Sequence, residues 1–258
     1  MADRPVSVIT GASQGIGRVI AIELAARGDV VVLAARNAAG LEQTAGHIDQ
    51  VGGKHLVVET DVTSEASVGS MITTVRERLG GIDNLVNNSG VGGPSGRLWE
   101  VDPDEWRSTY EVNVFGVFSV TRAVLPVMIE QGSGSVVIVG SISGKRPLFG
   151  RSAYTSTKTA LIGLTRTLAI EAGPHGIRVN LVSPGFVSGP RIDWVMKAQA
   201  EARGLDVDEV RAEFEGKSPL GRLTDPTDVA RTVAFLTSES SAGITGADLN
   251  VNSGVVMY

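Results

Sequence analysis

The chain has 258 residues, 42% hydrophobic and 20% charged, a balance that excludes a disordered, collagen-like or coiled-coil protein. Its 23 basic and 28 acidic residues leave a net charge of −5, so no global basic field draws in nucleic acid or an anionic membrane. The absence of cysteine excludes disulfides, thiolate metal sites and a cysteine nucleophile, and His47, His55 and His175 have no metal-ligand spacing, so no metal site is expected.

In chain order, short β-branched apolar runs fall at Val6–Thr10, Val30–Ala35, Leu56–Glu59, Leu85–Asn87, Ser135–Val139, Ile177–Val182 and Ala247–Val251. Most are continuous rather than alternating, as strands buried on both faces of a parallel sheet require. Helical spacing separates them, most clearly over Gly15–Arg27 and Ala153–Ala172. Asp102-Pro103, Asp206-Val207 and Asp225-Pro226 are helix starts, with an aspartate to cap and, in two cases, a proline at the first helical position. Strand–helix alternation predicts an α/β fold, a doubly wound parallel sheet of about seven strands with helices on both faces. No linker or composition break divides residues 1–258, which read as a single domain. Residues 189–217 interrupt the alternation with two short helical patterns, read as a lid over the site against the alternative of surface decoration. No unbroken apolar run nears the ~20 residues of a membrane helix. Met-Ala-Asp-Arg-Pro enters a strand pattern without a signal-peptide core, so a soluble cytoplasmic protein is expected.

The first strand is followed by Thr10-Gly11-Ala12-Ser13-Gln14-Gly15-Ile16-Gly17 and then a helix. Glycines there let the backbone turn sharply and approach a ligand, and a helix N-terminus offers free N–H groups and partial positive charge to phosphate. The spacing is G-x-x-x-G-x-G rather than G-x-G-x-x-G. Placed between strand and helix, it predicts a dinucleotide site. An acid ending the second strand would bind the ribose hydroxyls of NAD, but Ala35 stands there and Arg36 follows. A guanidinium can pair with a 2′-phosphate in two-pronged fashion, so NADP is favoured and NAD remains open; the alternative is a solvated arginine.

Tyr154 and Lys158 share one face of a predicted helix. A free tyrosine is a poor base near neutrality, and a neighbouring ammonium favours its phenolate. The pair suits proton exchange with an alcohol or ketone oxygen, although this spacing alone is common on exposed helices. Ser141, at the end of the fifth strand, can hydrogen-bond the substrate oxygen, with Ser143 as competitor. Asn113 lies mid-helix, where asparagine is a mediocre helix former; it either marks a local kink or holds a water near Lys158.

With these residues assembled, the chain resembles the short-chain dehydrogenase/reductase family, in its subfamily of single-domain chains of this length. The resemblance covers nearly the whole chain: the Thr10–Gly17 turn, Asp61-Val62, Asn87-Asn88-Ser89-Gly90, Asn113, Ser141, Tyr154, Lys158, Pro184-Gly185, Gly221-Arg222-Leu223, Pro226–Ala230 and Ile244-Thr245-Gly246. It implies a Rossmann-type fold and an NAD(P)-dependent oxidoreductase interconverting a secondary alcohol and a ketone. Tyr154 would be the acid/base. Lys158 would bind the nicotinamide ribose, Ser141 orient the substrate oxygen and Asn113 support a water. The cofactor would be held by Gly11, Ser13, Gln14, Gly15, Ile16, Gly17 and Arg36, with Asp61 and Val62 at the adenine. Asn88, Ser89 and Gly90 would line the adenosine side, and Pro184, Gly185 and Val187 the nicotinamide. The substrate walls would come from Gly92-Gly93-Pro94, Ile142, Ser143, Leu148, Phe149, Phe186 and Trp194. Arg146, Arg151 and Arg191 either read an anionic substrate or are surface charges. Ser89 replaces the family's usual alanine, and Asn252-Ser253-Gly254 replaces its usual acid–Gly–Gly. A homotetramer is implied. A catalytically silent binder on the same fold would lack Ser141, Tyr154 or Lys158, and all three are present; sugar epimerases and dehydratases of the family run longer.

Overall fold

The structure, a computed structural model, describes residues 4–258. Seven parallel strands form one sheet in the order β3-β2-β1-β4-β5-β6-β7. They are β1 (Val6–Thr10), β2 (Val30–Ala35), β3 (Lys54–Glu59), β4 (Asn84–Asn87), β5 (Gly134–Val139), β6 (Ile177–Pro184) and β7 (Asp248–Val251). Each central strand sends alternate apolar residues to opposite faces. In β5, Val136 and Ile138 enter one core, and Val137 and Val139 the other. That two-sided burial is why these strands read as unbroken apolar runs.

One face is covered by α3 (Glu65–Leu79), α5 (Gly116–Gln131) and α6 (Ser152–Ala172). The other is covered by α1 (Gly15–Arg27), α2 (Ala38–Gln50) and α9 (Pro226–Leu236). Strand order reverses between β1 and β4, so the crevice where such sheets bind ligands opens at the carboxyl ends of β1 and β4. β3 begins at Lys54, two residues before the apolar run, because Lys54 and His55 pair with Val30 and Val31 at an edge where polar side chains reach water. β6 runs on to Pro184, paired with Val251.

The expected caps form. Asp102 Oδ1 accepts from the Asp104 and Glu105 amides at the start of α4 (Pro103–Tyr110), and Asp225 Oδ1 from Thr227. Asp206 and Glu209 make a reciprocal capping box on α8 (Val207–Gly216). With α7 (Pro190–Arg203), α8 builds a small core of Met196, Ala200, Val210, Phe214 and Leu223 beside the sheet. The helical run from Pro103 to Gln131 is long and apolar enough, by length and composition, to cross a membrane. Here its Val117, Val120, Val124, Val127 and Met128 are buried against the sheet.

Candidate active site

The protein's own hydrogen bonds tie the carboxyl ends of β1 and β4 together. Thr10, a buried hydroxyl ending an apolar strand, accepts through Oγ1 from the Asn88 and Ser89 amides, both at 3.0 Å. Asn88 Nδ2 donates back to the carbonyls of Thr10 (3.0 Å) and Gly11 (3.2 Å). Asn88 therefore holds the glycine turn with its side chain. Sequence reasoning assigns Thr10 no such role; a polar residue closing a buried strand is the available signal.

Gly11 adopts a left-handed φ of +67° and donates to Ala34 O at 2.7 Å. A Cβ at Gly17 would collide with Gly11 O and Asn88 Nδ2, so that glycine is needed for close packing. Gly15, at φ +58°, faces open space, and Gln14 and Gly15 are exposed. Gln14 caps α1 without a side-chain hydrogen bond, so the N–H groups of that helix start remain available to an anion. A dinucleotide pyrophosphate fits this cradle. Ser13 differs from the rest of the turn: it is buried against Gly40, where an added Cβ would come within 3.0 Å of Ser13 Cβ.

Arg36 follows β2 with its side chain 67% exposed; its nearest carboxylate, Asp61 Oδ2, is 4.0 Å away. Thr63 binds the Asp61 carboxylate through its amide (3.0 Å) and hydroxyl (2.8 Å), and these bonds, more than Arg36, hold the acid below the usual aspartate range. Arg18 also lies near this end of the sheet. Its guanidinium is already committed to Ser13 O, Gly40 O, Gln43 Oε1 and Thr44 Oγ1, locking α1 to α2. Val62 is buried against Gly116. Pro184 ends β6 in the buried layer, Gly185 donates to Val251 O at 3.0 Å, and Val187 pairs with Thr224. A Cβ at Gly185 would lie 2.7 Å from Asn252 Cα.

The predicted catalytic residues converge. Lys158 is 5% exposed, and its Nζ donates to Val139 O at 2.9 Å and lies 5.8 Å from the Tyr154 ring centroid. Asn113 is fully buried in a π-helical turn, Glu111–Phe115, between α4 and α5. Its Oδ1 accepts from Val91 N (2.8 Å), and its Nδ2 donates to Val91 O (3.0 Å) and Thr157 Oγ1 (3.1 Å). The sequence leaves open a kink or a site role for Asn113; the helix is locally widened, a feature that concentrates at functional sites. Gly90 sits between them, a Cβ there falling 3.3 Å from Asn113 Oδ1 and 3.7 Å from Lys158 Nζ.

Ser141 is half-buried and close enough to Tyr154 to affect its ionisation, whereas Ser143 is buried and donates its amide to Ser141 Oγ at 3.1 Å. Gly144 lets this turn press on α6, since a Cβ would lie 2.9 Å from Lys158 C. Lys145 anchors the turn to β7 through Asp248 (2.8 Å) and Asn250 (2.6 Å). Burial opposes ionisation of the Tyr154 phenol, yet Lys158, then Arg191, Ser141 and Arg151, outweigh it and hold the phenol below the usual tyrosine range. Burial likewise lowers Lys158, partly offset by Tyr154.

Of the three arginines near the site in sequence, the fold brings Arg151 and Arg191 to Tyr154, their Cζ atoms 5.3 and 5.6 Å from its ring centroid. Arg146 is exposed on the turn after Ser141. Leu148 and Phe149 line a hollow of about 260 Å³ with Leu98, Trp99 and Arg151. Phe186 packs edge-on against Phe214 at 4.8 Å, joining the loop after β6 to α8. The three histidines fall toward the amino ends of the strands, the edge opposite this site.

Fold and site together define an α/β oxidoreductase that works with a nicotinamide dinucleotide. The chain belongs to the short-chain dehydrogenase/reductase family. Residues 11–256 match the family model described as Enoyl-(Acyl carrier protein) reductase. The chain is 35% identical over 252 residues to the 3-oxoacyl-[acyl-carrier-protein] reductase FabG of Escherichia coli, covering 98% of this chain and 97% of that one. Among solved structures, it resembles a single-substitution variant of actinorhodin polyketide ketoreductase with NADPH, at 33% identity and a TM-score of 0.95, covering 100% and 99% of the two chains. It also resembles an NAD+-bound xylitol dehydrogenase, at 30% identity and a TM-score of 0.93, covering 98% and 100%. This protein is accordingly an NAD(P)-dependent oxidoreductase interconverting a secondary alcohol and a ketone.

Proposed function

We propose that the chain is an NADP-preferring ketone reductase in which Tyr154 carries the proton. The observation behind this reading is the Tyr154 phenol set over the buried Lys158 ammonium, 5.8 Å from ring centroid to Nζ, with the Ser141 hydroxyl beside it. When bound, the nicotinamide gives a hydride to the carbonyl carbon or takes one from the alcohol carbon. The residues of this chain handle the oxygen. In reduction, Tyr154 Oη donates its proton to the developing alkoxide, and Ser141 Oγ donates a hydrogen bond to the same atom. Lys158 stabilises the phenolate left behind, and Asn113, fixed on Val91, supports the route by which the proton returns. In oxidation, the same phenolate removes the hydroxyl proton.

The glycine turn and the uncapped start of α1 would hold the pyrophosphate, and Asp61 and Val62 would meet the adenine. Asn88, Ser89 and Gly90 would line the adenosine side, Lys158 would meet the nicotinamide ribose, and Pro184, Gly185 and Val187 the nicotinamide. Arg36, exposed and loosely partnered, supports NADP over NAD. The described residues, 4–258, act as a single catalytic domain. Residues 189–217 act as a substrate lid, since α7 and α8 share a small core outside the two sheet cores and carry an exposed Trp194. We also read the protein as a cytoplasmic homotetramer, with exposed Phe115 and Phe118 available to a second copy; sedimentation at the monomer mass would overturn this.

The test of the chemistry is Tyr154→Phe, which removes only the proton carrier. Turnover of a ketone panel with NADPH should fall by roughly 10²–10⁴-fold while NADPH binding, followed by its fluorescence, is retained. Turnover near the wild-type rate would sink the assignment.

A further inference from the structure

Two guanidinium groups sit at the mouth of the site without a carboxylate. Arg151 comes from the residue before α6 and Arg191 from the first turn of α7, and they flank the Tyr154 ring at 5.3 and 5.6 Å. Both reach the same point. Arg151 Nη2 donates to Gly92 O at 2.7 Å, and a Cβ built on Gly92 would lie 2.8 Å from Arg191 Nη2 and 3.2 Å from Arg151 Nη2. Among the described residues, no carboxylate lies within 4.0 Å of either, whereas Arg27, Arg76, Arg203 and Arg222 each have one within 3.0 Å. Like charges converging over a partly buried ring repel. Burial and then Arg191 lower the pKa of Arg151, which marks that cost. An anion between the two would remove it and use donors that the protein leaves free.

We propose that Arg151 and Arg191 clamp a carboxylate beside Tyr154, making the substrate a small oxo acid or hydroxy acid. The geometry limits its size. An anion held between guanidinium groups whose Cζ atoms lie 5.3 and 5.6 Å from the Tyr154 ring centroid is within a small molecule's reach of an oxygen at Tyr154 Oη. A carrier-bound acyl thioester does not meet that requirement, because its nearest permanent charge is a phosphate at the far end of a long arm. This inference rests on Tyr154 as the proton-transfer group, and its binding test is independent of turnover.

The probes are cyclohexanecarboxylate, cyclohexanecarboxamide and cyclohexyl phosphate, titrated by calorimetry into the NADPH-saturated protein. The carboxylate should bind at least about tenfold tighter than the isosteric amide. Arg191→Gln and Arg151→Gln should each bring that ratio to within about threefold, and Arg146→Gln should preserve it. Arg191 is exposed, so its variant tests the clamp even if Arg151→Gln, which loses the Gly92 bond, melts early. Equal binding of carboxylate and amide, a ratio that survives both substitutions, or tightest binding of the phosphate would each overturn the clamp. In kinetics, short oxo acids should exceed their methyl esters in kcat/KM, and preference for a neutral 3-oxoacyl thioester would also overturn it. If neither acids nor esters turn over while other ketones do, the oxo-acid substrate class is overturned; if no ketone turns over, the proton-transfer reading fails, and the titration still decides the clamp.

Discussion

Replacing Arg36 by Gln removes the one basic side chain at the end of β2 that is free to meet a 2′-phosphate. Its side chain is 67% exposed, so water and salt screen whatever it binds. An exposed ion pair alone contributes only about 0.2–1 kcal/mol. A phosphate carries more charge and can take two guanidinium N–H groups at once, raising the figure toward the ~1.5–3 kcal/mol of hydrogen bonds to charged groups. Little is lost by redirecting the side chain, since Asp61 stands 4.0 Å away and its carboxylate is already bound by Thr63. Asn37 does not compete, because its side chain caps α2 through Gly40 N. We therefore expect a gain of about 1–3 kcal/mol for NADPH over NADH, or roughly five- to 150-fold in Kd, at low salt. Arg36→Gln should erase most of that ratio by weakening NADPH and leaving NADH nearly unchanged. The assay is fluorescence titration of each reduced cofactor. Arg18→Gln is the informative control: its guanidinium is spent on four protein acceptors, so it should lower the melting temperature and leave the ratio alone. A wild type without cofactor preference, or a ratio that follows Arg18 rather than Arg36, would refute the reasoning.

Because the phenol of Tyr154 is held below the usual tyrosine range, alcohol oxidation should rise with pH through that lowered value, as phenolate becomes available. Lys158→Met removes the strongest influence favouring ionisation, so the rising limb should move to higher pH; an unmoved limb would mean that the lysine does not tune the phenol. Asn113→Ala strands the Val91 N–H and C=O and the Thr157 hydroxyl, and should cost about 2–4 kcal/mol of stability along with activity; a calorimetric melt checks the first and a ketone assay the second. Ser253 holds a left-handed φ of +53°, so Ser253→Gly should add about 0.5–1 kcal/mol to stability, read as a rise in the urea midpoint.

Local chemistry was enough to place most of the fold. Strands buried on both faces are near-continuously apolar, so β1, β2 and β5 stand out as runs, and Asp102, Asp206 and Asp225 announce their helices because a carboxylate is the natural partner of free N–H groups. The Gly11–Gly17 turn and the Tyr154–Lys158 pair were legible for a related reason. Each lies within a few residues of one element, so spacing alone reports geometry. Contacts that join distant segments left no such trace. Thr10 grips Asn88 and Ser89 across 78 and 79 residues, and Asn113 reaches Thr157 across 44. In sequence, Arg151 and Arg191 read first as surface or interface charges, with an anion reader as the alternative. Only the folding of α6 and α7 onto Gly92 settled their position, by bringing two cations from different elements to one tyrosine. A side chain's type fixes the bonds it can make, but packing decides which partners come within reach and which charges are left facing an open site.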